Sequence, residues 1–104
     1  MGKIVIATYK PKPGKEKNLD RLVKNHVKVL RNQGFATQRP PMIMKSADGT
    51  VIEVFEWISK QAIEDAKNNK DVQEYWNQYR EVCNIIPVSD LMEANTSFSE
   101  FSPF

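Results

Sequence analysis

His26, the only histidine of the 104-residue chain, lies within an apolar stripe that has helical spacing. The stripe follows the pattern i, i+3, i+4, i+7, i+8, i+11 and consists of Leu19, Leu22, Val23, His26, Val27 and Leu30. An imidazole that faces a pocket can hydrogen-bond or deprotonate a phenolic substrate near neutral pH. A buried histidine that is hydrogen-bonded to a strand residue or a backbone carbonyl gives the same pattern. His26 is therefore either a base or a satisfied core residue.

Two carboxylates, Glu53 and Glu56, lie in the run Val51-Ile52-Glu53-Val54-Phe55-Glu56-Trp57. They have opposite phases of strand alternation, so at least one of them lies on a largely apolar sheet face. A buried carboxylate needs a partner, and the candidates are Arg39, Lys45, Tyr9 and His26. The pair would form an ion pair between subunits or would orient a substrate and move a proton. We therefore include Glu53, Glu56 and Arg39 among the candidate pocket residues, and the sequence does not say which acid faces the pocket.

Four aromatic residues, Phe55, Trp57, Trp76 and Tyr79, could form a flat wall for a planar ligand. Aromatic residues at strand and helix spacing are also typical of an ordinary core. The two interpretations are compatible. Cys83 follows on the same apolar helix face and is most simply a small core residue.

The sequence contains no motif for a bound metal, nucleotide or hydrolytic centre. One histidine and one cysteine do not supply the ligands of a typical zinc site. A glycine-rich phosphate loop, Cys-x-x-Cys, His-Glu-x-x-His and Gly-x-Ser-x-Gly are all missing from the sequence. We therefore predict no cofactor and no metal.

The length and composition predict one domain spanning residues 1–104. They also favour a protein of the reducing cytoplasm. A single cysteine allows no intrachain disulfide, and the apolar stretch at residues 4–7 is too short for a signal sequence or a membrane span. The 15 basic and 13 acidic residues leave a net charge of +2, but residues 1–50 hold eleven of the basic ones. That basic half suggests an RNA-binding sheet, which the two acids of the 51–57 strand oppose because they repel phosphate. We expect neither a nucleic-acid nor a membrane partner.

The order of elements predicts an α+β, ferredoxin-like split βαβ fold with a four-stranded antiparallel sheet. Strands are predicted at residues 3–10, 37–45, 50–57 and 97–101, with an Asp48-Gly49 hairpin turn. The first helix ends at Gly34, a short helix follows the N-cap Ser59, and a longer helix runs from a capping box at Asp71 to Pro87.

Both sheet faces are predicted to be apolar, although helices cover only one of them. Ile4 and Ile6 point away from Val5 and Ala7 in the first strand. Burying the uncovered face against a second copy about a two-fold axis is the simplest solution, so we predict a homodimer through the sheet faces.

The chain resembles the dimeric α+β barrel proteins of the antibiotic-biosynthesis-monooxygenase type over almost its whole length. The segments that carry the resemblance are Pro13-Gly14-Lys15-Glu16, His26 with Leu30-Arg31-Asn32-Gln33-Gly34-Phe35, Glu53-Val54-Phe55-Glu56-Trp57-Ile58-Ser59, Val72-Gln73-Glu74-Tyr75-Trp76 and Phe98-Ser99-Glu100-Phe101. The resemblance implies that two subunits pack sheet to sheet and that each has a pocket between its helices and its sheet. That family includes cofactor-independent oxygenases of phenols and quinols, and also haem-degrading enzymes. In the haem-degrading enzymes the iron-binding histidine lies on a helix after the third strand, whereas His26 lies in the first helix. The asparagine which those enzymes need on the first strand is also missing here, so haem degradation is disfavoured.

These observations lead to two hypotheses. In the first, the protein is a cofactor-independent monooxygenase of a small aromatic or quinol-like molecule, with His26 as base or orienting donor and Trp57, Trp76 and Tyr79 shaping the pocket. In the second, it is a non-catalytic homodimeric ligand-binding or scaffold protein whose histidine and aromatic residues are core. The second hypothesis predicts that the space between the helices and the sheet is filled.

Overall fold

A computed structural model describes residues 2–104 as five strands and three α-helices. The strands are β1 (Lys3–Pro11), β2 (Met42–Lys45), β3 (Val51–Trp57), β4 (Cys83–Ile86) and β5 (Ser102–Pro103). The helices are α1 (Glu16–Asn32), α2 (Lys60–Lys67) and α3 (Lys70–Val82), and two short 3-10 turns follow at Val88–Asp90 and Met92–Asn95. Every strand pair is antiparallel, in the order β4-β1-β3-β2-β5. The predicted α+β class is therefore confirmed, and the sheet has one short strand more than expected.

Helix α1 follows the predicted stripe and ends where Gly34 was expected to end it. Its buried side chains are Leu19, Val23, His26, Val27 and Leu30. Gly34 has a φ of 79°. The Gly34 N–H donates to the Arg31 carbonyl and the Phe35 N–H to the Leu30 carbonyl. This pair of hydrogen bonds is a Schellman motif, and it requires the left-handed conformation that glycine adopts without strain.

The hairpin between β2 and β3 also forms at the predicted turn. The Ser46 N–H donates to the Thr50 carbonyl at 2.9 Å, and Gly49 has a φ of 91°. Strand β2 is shorter than the predicted 37–45 segment, because Pro40 and Pro41 interrupt it. Before these prolines, Ala36 forms only an isolated bridge to Trp57.

The C-terminal part of the fold differs from the prediction. We expected one helix up to Pro87 and a last strand at residues 97–101. Instead α3 ends at Val82, and β4 pairs with β1 in the register Thr8↔Ile86 to Pro11↔Cys83. Residues 82–86 keep apolar spacing compatible with a helix, but pairing them with β1 satisfies backbone groups that would otherwise be unpaired at the sheet edge. The last strand is Ser102–Pro103, beside β2.

The two later helices begin at side-chain caps. The Ser59 hydroxyl accepts from the Ala62 N–H at 3.0 Å, which confirms the predicted cap of α2. The capping box predicted at Asp71 is wrong by two residues, because Asn69 caps α3 by accepting from the Val72 N–H. Asparagine is as good an N-cap as aspartate, so Asn69 can begin the helix two residues before Asp71.

Helices cover only one face of the sheet. That face carries Val5, Ala7 and Tyr9 of β1 and Val51, Glu53, Phe55 and Trp57 of β3, and it forms the core with the helices. On the other face, Ile4, Ile6 and Met42 are exposed. The 3-10 turn Val88–Asp90 packs against β1. An apolar part of the second face therefore stays uncovered within one chain.

Candidate functional site

A chain of buried polar side chains connects the sheet to α1 and α3. The Tyr9 hydroxyl donates to Glu53 Oε1 at 2.8 Å, and His26 Nδ1 lies 2.9 Å from the same oxygen. The Trp76 indole Nε1–H donates to His26 Nε2 at 2.9 Å. Glu53 is fully buried and His26 is 3% exposed. Tyr9 and His26 were two of the four partners considered for a buried carboxylate.

The hydrogen bonds define which nitrogen of His26 carries the proton. Because the Trp76 N–H can only donate, His26 Nε2 must accept with its lone pair. The ring proton therefore lies on Nδ1, which donates to Glu53 Oε1. His26 is a neutral imidazole whose basic nitrogen points toward Trp76 and whose orientation is fixed by a buried carboxylate.

Two polar atoms next to these hydrogen-bonded side chains have no hydrogen-bond partner within residues 2–104. They are Glu53 Oε2 and the Tyr79 hydroxyl, both buried. The Tyr79 ring stacks on Tyr9, with ring centroids 4.6 Å apart and an interplanar angle of 13°. Burial raises the pKa of both tyrosines well above the usual value of 10, and the neighbouring Glu53 carboxylate adds to the rise. Both phenols therefore stay protonated at neutral pH.

Tyr75 completes the surroundings of the imidazole. Its ring is nearly parallel to the His26 ring, with centroids 5.8 Å apart and an interplanar angle of 6°. The Tyr75 hydroxyl donates to the Leu22 carbonyl. Burial raises the pKa of Tyr75 to about 12. His26 is thus enclosed by aromatic rings, with Phe55 and Tyr79 packed edge-on against it.

A cavity of about 220 Å³ lies between α3 and the helix-bearing face of the sheet. It is lined by Val5, Ala7, Tyr9, His26, Phe55, Trp57, Trp76, Tyr79, Arg80 and Ile85. Five residues of this wall were candidate site residues from the sequence, namely His26, Phe55, Trp57, Trp76 and Tyr79. The walls are mostly aromatic and aliphatic, which suits a small planar apolar molecule.

The remaining candidates lie away from the cavity wall. Glu53 is behind the wall and reaches it only through Tyr9 and His26. Glu56 has the opposite strand phase and pairs with Arg39 Nε at 3.0 Å, while Thr37 also donates to it. The hydrogen bond from Arg39 has the largest effect and that from Thr37 the next largest, and both lower the pKa of Glu56. The question of which acid approaches the pocket is thus resolved in favour of Glu53.

The other five wall residues were not candidate site residues: Val5, Ala7, Tyr9, Arg80 and Ile85. Arg80 lies one helical turn after Trp76 and therefore on the same face of α3, so this spacing could have identified it as a wall residue. Ile85 was assigned to a helix, and only its place in β4 brings it to the cavity. Cys83, expected to be core, is 2% exposed and its thiol donates to the Tyr79 carbonyl at 3.1 Å. Burial raises the pKa of the thiol to about 11, so it is a poor nucleophile.

Within residues 2–104, His, Cys, Asp and Glu side chains form no cluster of three or more suited to a metal. Over the same residues, no helix combines the length and the apolar character needed to cross a membrane.

Comparison with known proteins gives a fold and no function. No family model matches the chain, and no curated protein matches it. The solved structure of Rv0793 from Mycobacterium tuberculosis is similar, with a TM-score of 0.65 and 20% identity over 83% of this chain and 89% of that one. At this identity the similarity shows the α+β fold alone. Any activity must be argued from the cavity and the side chains around it.

Proposed function

We propose that the protein is a cofactor-independent monooxygenase of a small phenol or quinol-like molecule. One observation carries the proposal: His26 lines an apolar aromatic cavity, a buried carboxylate holds its Nδ1–H, and its basic Nε2 accepts from Trp76, which is itself a wall residue. A base oriented by a second buried group is the arrangement that proton abstraction requires. Glu53 is a positioning residue in this scheme because it acts through His26.

The indole of Trp76 holds the place that the substrate hydroxyl would take. In the present structure its N–H occupies Nε2 of His26. Trp76 also lines the cavity and is only partly buried, and the scheme requires its indole to move away from His26 when substrate binds. A phenol O–H then donates to Nε2 in place of the indole N–H, and the number of hydrogen bonds to His26 is unchanged.

The chemistry needs no group beyond substrate and oxygen. His26 Nε2 takes the phenolic proton, and the phenolate transfers an electron to O₂. The two radicals combine by forming a C–O bond at a ring carbon that carries hydrogen. His26 returns its proton to the terminal peroxide oxygen. As the O–O bond breaks, the ring carbon gives up its hydrogen as a proton, and the departing hydroxide takes that proton to become water. One phenol and one O₂ give one quinone and one water. The mostly apolar walls of the cavity limit the contact of the radical pair with water.

Oxygen uptake with a panel of phenols and dihydroquinones tests the proposal. Wild type should consume one O₂ per phenol, and His26→Ala should be about 100-fold slower, since general-base catalysis contributes at least that factor. Tyr75→Phe is the matched control, because it keeps the ring stacked on His26 and removes only the hydroxyl bound to Leu22. Equal uptake by wild type and His26→Ala would refute the role of His26.

A non-catalytic binding or scaffold function is the second candidate. The observation that favours it is that both ring nitrogens of His26 already have partners, as in a structural histidine. The cavity lined by His26 and Trp57 speaks against a filled core. This candidate predicts that no variant consumes oxygen, while aromatic molecules still quench the tryptophan fluorescence of the cavity.

We also propose that two copies pair through the exposed sheet face. Ile6 of β1 is 54% exposed and Met42 of β2 is 64% exposed, although both lie in regular strands. A contiguous apolar sheet surface of this kind is typical of an interface between identical chains. Equilibrium sedimentation should give a dimer at micromolar concentration, and Ile6→Glu should give a monomer. Ile85→Glu is the matched control, because Ile85 is 61% exposed on the helix-bearing face. A monomeric wild type would refute this pairing.

A further inference from the structure

Arg80 is the only permanently charged side chain in the cavity wall. Its guanidinium donates to Asn77 Oδ1, and it forms no salt bridge with any acid among residues 2–104. An exposed arginine without an acid is ordinary on a protein surface. Here, however, Arg80 lines a space whose other walls are mostly apolar or aromatic, and its guanidinium keeps N–H donors that the hydrogen bond to Asn77 does not use.

A second cation lies at the C-terminal end of α3. Lys12 Nζ donates to the Arg80 backbone carbonyl at 3.0 Å, which holds its ammonium near the last turn of α3. Among residues 2–104 no acid lines the cavity, and Glu53 is fully buried behind the wall residues Tyr9 and His26. The electrostatic potential therefore differs between the two ends of the cavity. An anionic group is attracted to the mouth and repelled from the base.

The size of the cavity limits the ligand that fits. A protein cavity of roughly 150 Å³ holds benzene. The cavity described here, at about 220 Å³, therefore has room for one ring with small substituents. Larger ligands would have to extend past Arg80 into solvent.

We propose that the cavity binds a small aromatic acid of the hydroxybenzoate class. The ring lies among the aromatic side chains, the carboxylate pairs with the Arg80 guanidinium at the mouth, and a ring hydroxyl points inward to His26 Nε2. Arginine suits this task because its planar fork of N–H donors matches a carboxylate. The inference rests on the proposed function, since it names the substrate class of the same site, but its recognition step requires no reaction.

Binding without oxygen separates recognition from chemistry. The probes are 2,5-dihydroxybenzoate and its methyl ester, which has the same ring and hydroxyls without the charge. Both tryptophans of the chain line the cavity, so fluorescence quenching under argon reports occupancy. Wild type should bind the acid about fivefold more tightly than the ester, the effect of one partly exposed ion pair, and 0.5 M NaCl should shrink the difference.

Arg80→Gln should abolish the preference for the acid and leave ester binding unchanged. Arg21→Gln is the matched control, because it removes the same charge from a helix surface outside this cavity. Retained preference in Arg80→Gln, equal binding of acid and ester by wild type, or no binding of either probe would each overturn the inference. Acid-selective binding without oxygen uptake by any variant would overturn the monooxygenase and keep the anion site. Oxygen uptake with no acid preference would do the reverse.

Discussion

Tyr9 and Tyr79 form a matched pair in which the same substitution should have different effects on stability. Both rings are buried and they stack on each other. The Tyr9 hydroxyl donates to Glu53 Oε1 at 2.8 Å, whereas the Tyr79 hydroxyl has no partner within residues 2–104. A hydrogen bond to a charged group contributes about 1.5–3 kcal/mol, so Tyr9→Phe should lower the free energy of unfolding by that amount. Tyr79→Phe removes an unpaired buried hydroxyl and should leave stability unchanged or raise it by up to about 1 kcal/mol.

Urea unfolding followed by circular dichroism measures both changes, and an unchanged m value would show that each variant unfolds over the same surface. For a domain of this size, a gap of about 1.5 kcal/mol corresponds to a difference in Tm of roughly 6–12 °C between the two variants. Each substitution removes one oxygen from a stacked, buried ring, so loss of volume is the same in both. If Tyr79→Phe costs as much as Tyr9→Phe, then stability here depends on ring packing and not on the hydrogen bond to Glu53.

Three further predictions concern the same buried groups and one helix cap. Folding raises the pKa of Tyr9 and Tyr79, so their contribution to stability is complete below the unfolded pKa of about 10 and is lost as the pH rises. Above pH 10 the free energy of unfolding should fall by about 1.4 kcal/mol per pH unit for each of these tyrosines. Tyr79→Phe should make that slope shallower. Cys83, with its pKa raised to about 11, should resist a thiol reagent at pH 8 in the folded protein and react once urea unfolds it; rapid reaction of the native protein would contradict its burial. Ser59→Ala should destabilise by about 1 kcal/mol, while Ser89→Ala, at an exposed position outside any helix cap, should be neutral in the same melt.

Local signals in the sequence were enough to predict the first half of the fold. The apolar stripe of α1 and its end at Gly34 depend on spacing within one helix and on one left-handed residue. The Asp48-Gly49 turn depends on four residues. These features are decided by chemistry within a few positions, so a single sequence specifies them.

Strand β4 could not be predicted in this way because its reason to exist lies elsewhere in the chain. Residues 82–86 have apolar spacing that continues α3, and Pro87 is a natural helix end. What converts them to a strand is the unpaired edge of β1 at Thr8 to Pro11. The wrong helix end also hid Ile85 from the predicted pocket, so an error of topology became an error in the site.

The site itself was predicted as a set of residues but not as a connected chain. Alternation placed Glu53 on the same face as Phe55 and Trp57, and a buried acid implied partners such as Tyr9 and His26. Which nitrogen of His26 meets Trp76 depends on how two helices face each other, and no pattern within either helix contains that information. The tautomer of His26, on which the proposed chemistry depends, therefore came only from the structure.

The buried polar side chains around Glu53 lower the free energy of unfolding that this protein could otherwise reach. Replacing a buried charged group by apolar residues of similar volume is often neutral or stabilising. Here the chain keeps a fully buried carboxylate with one unpaired oxygen, an unpaired phenol and a cavity of about 220 Å³ beside them. Unsatisfied polar atoms and an unfilled cavity each reduce stability. Of the four buried side-chain atoms without a partner in residues 2–104, Thr8 Oγ1 and Thr50 Oγ1 lie outside this group, while the other two lie beside His26 and the cavity. Their concentration beside His26 is what a site for a ligand with a hydroxyl group requires, and it is difficult to explain as the packing of a simple core.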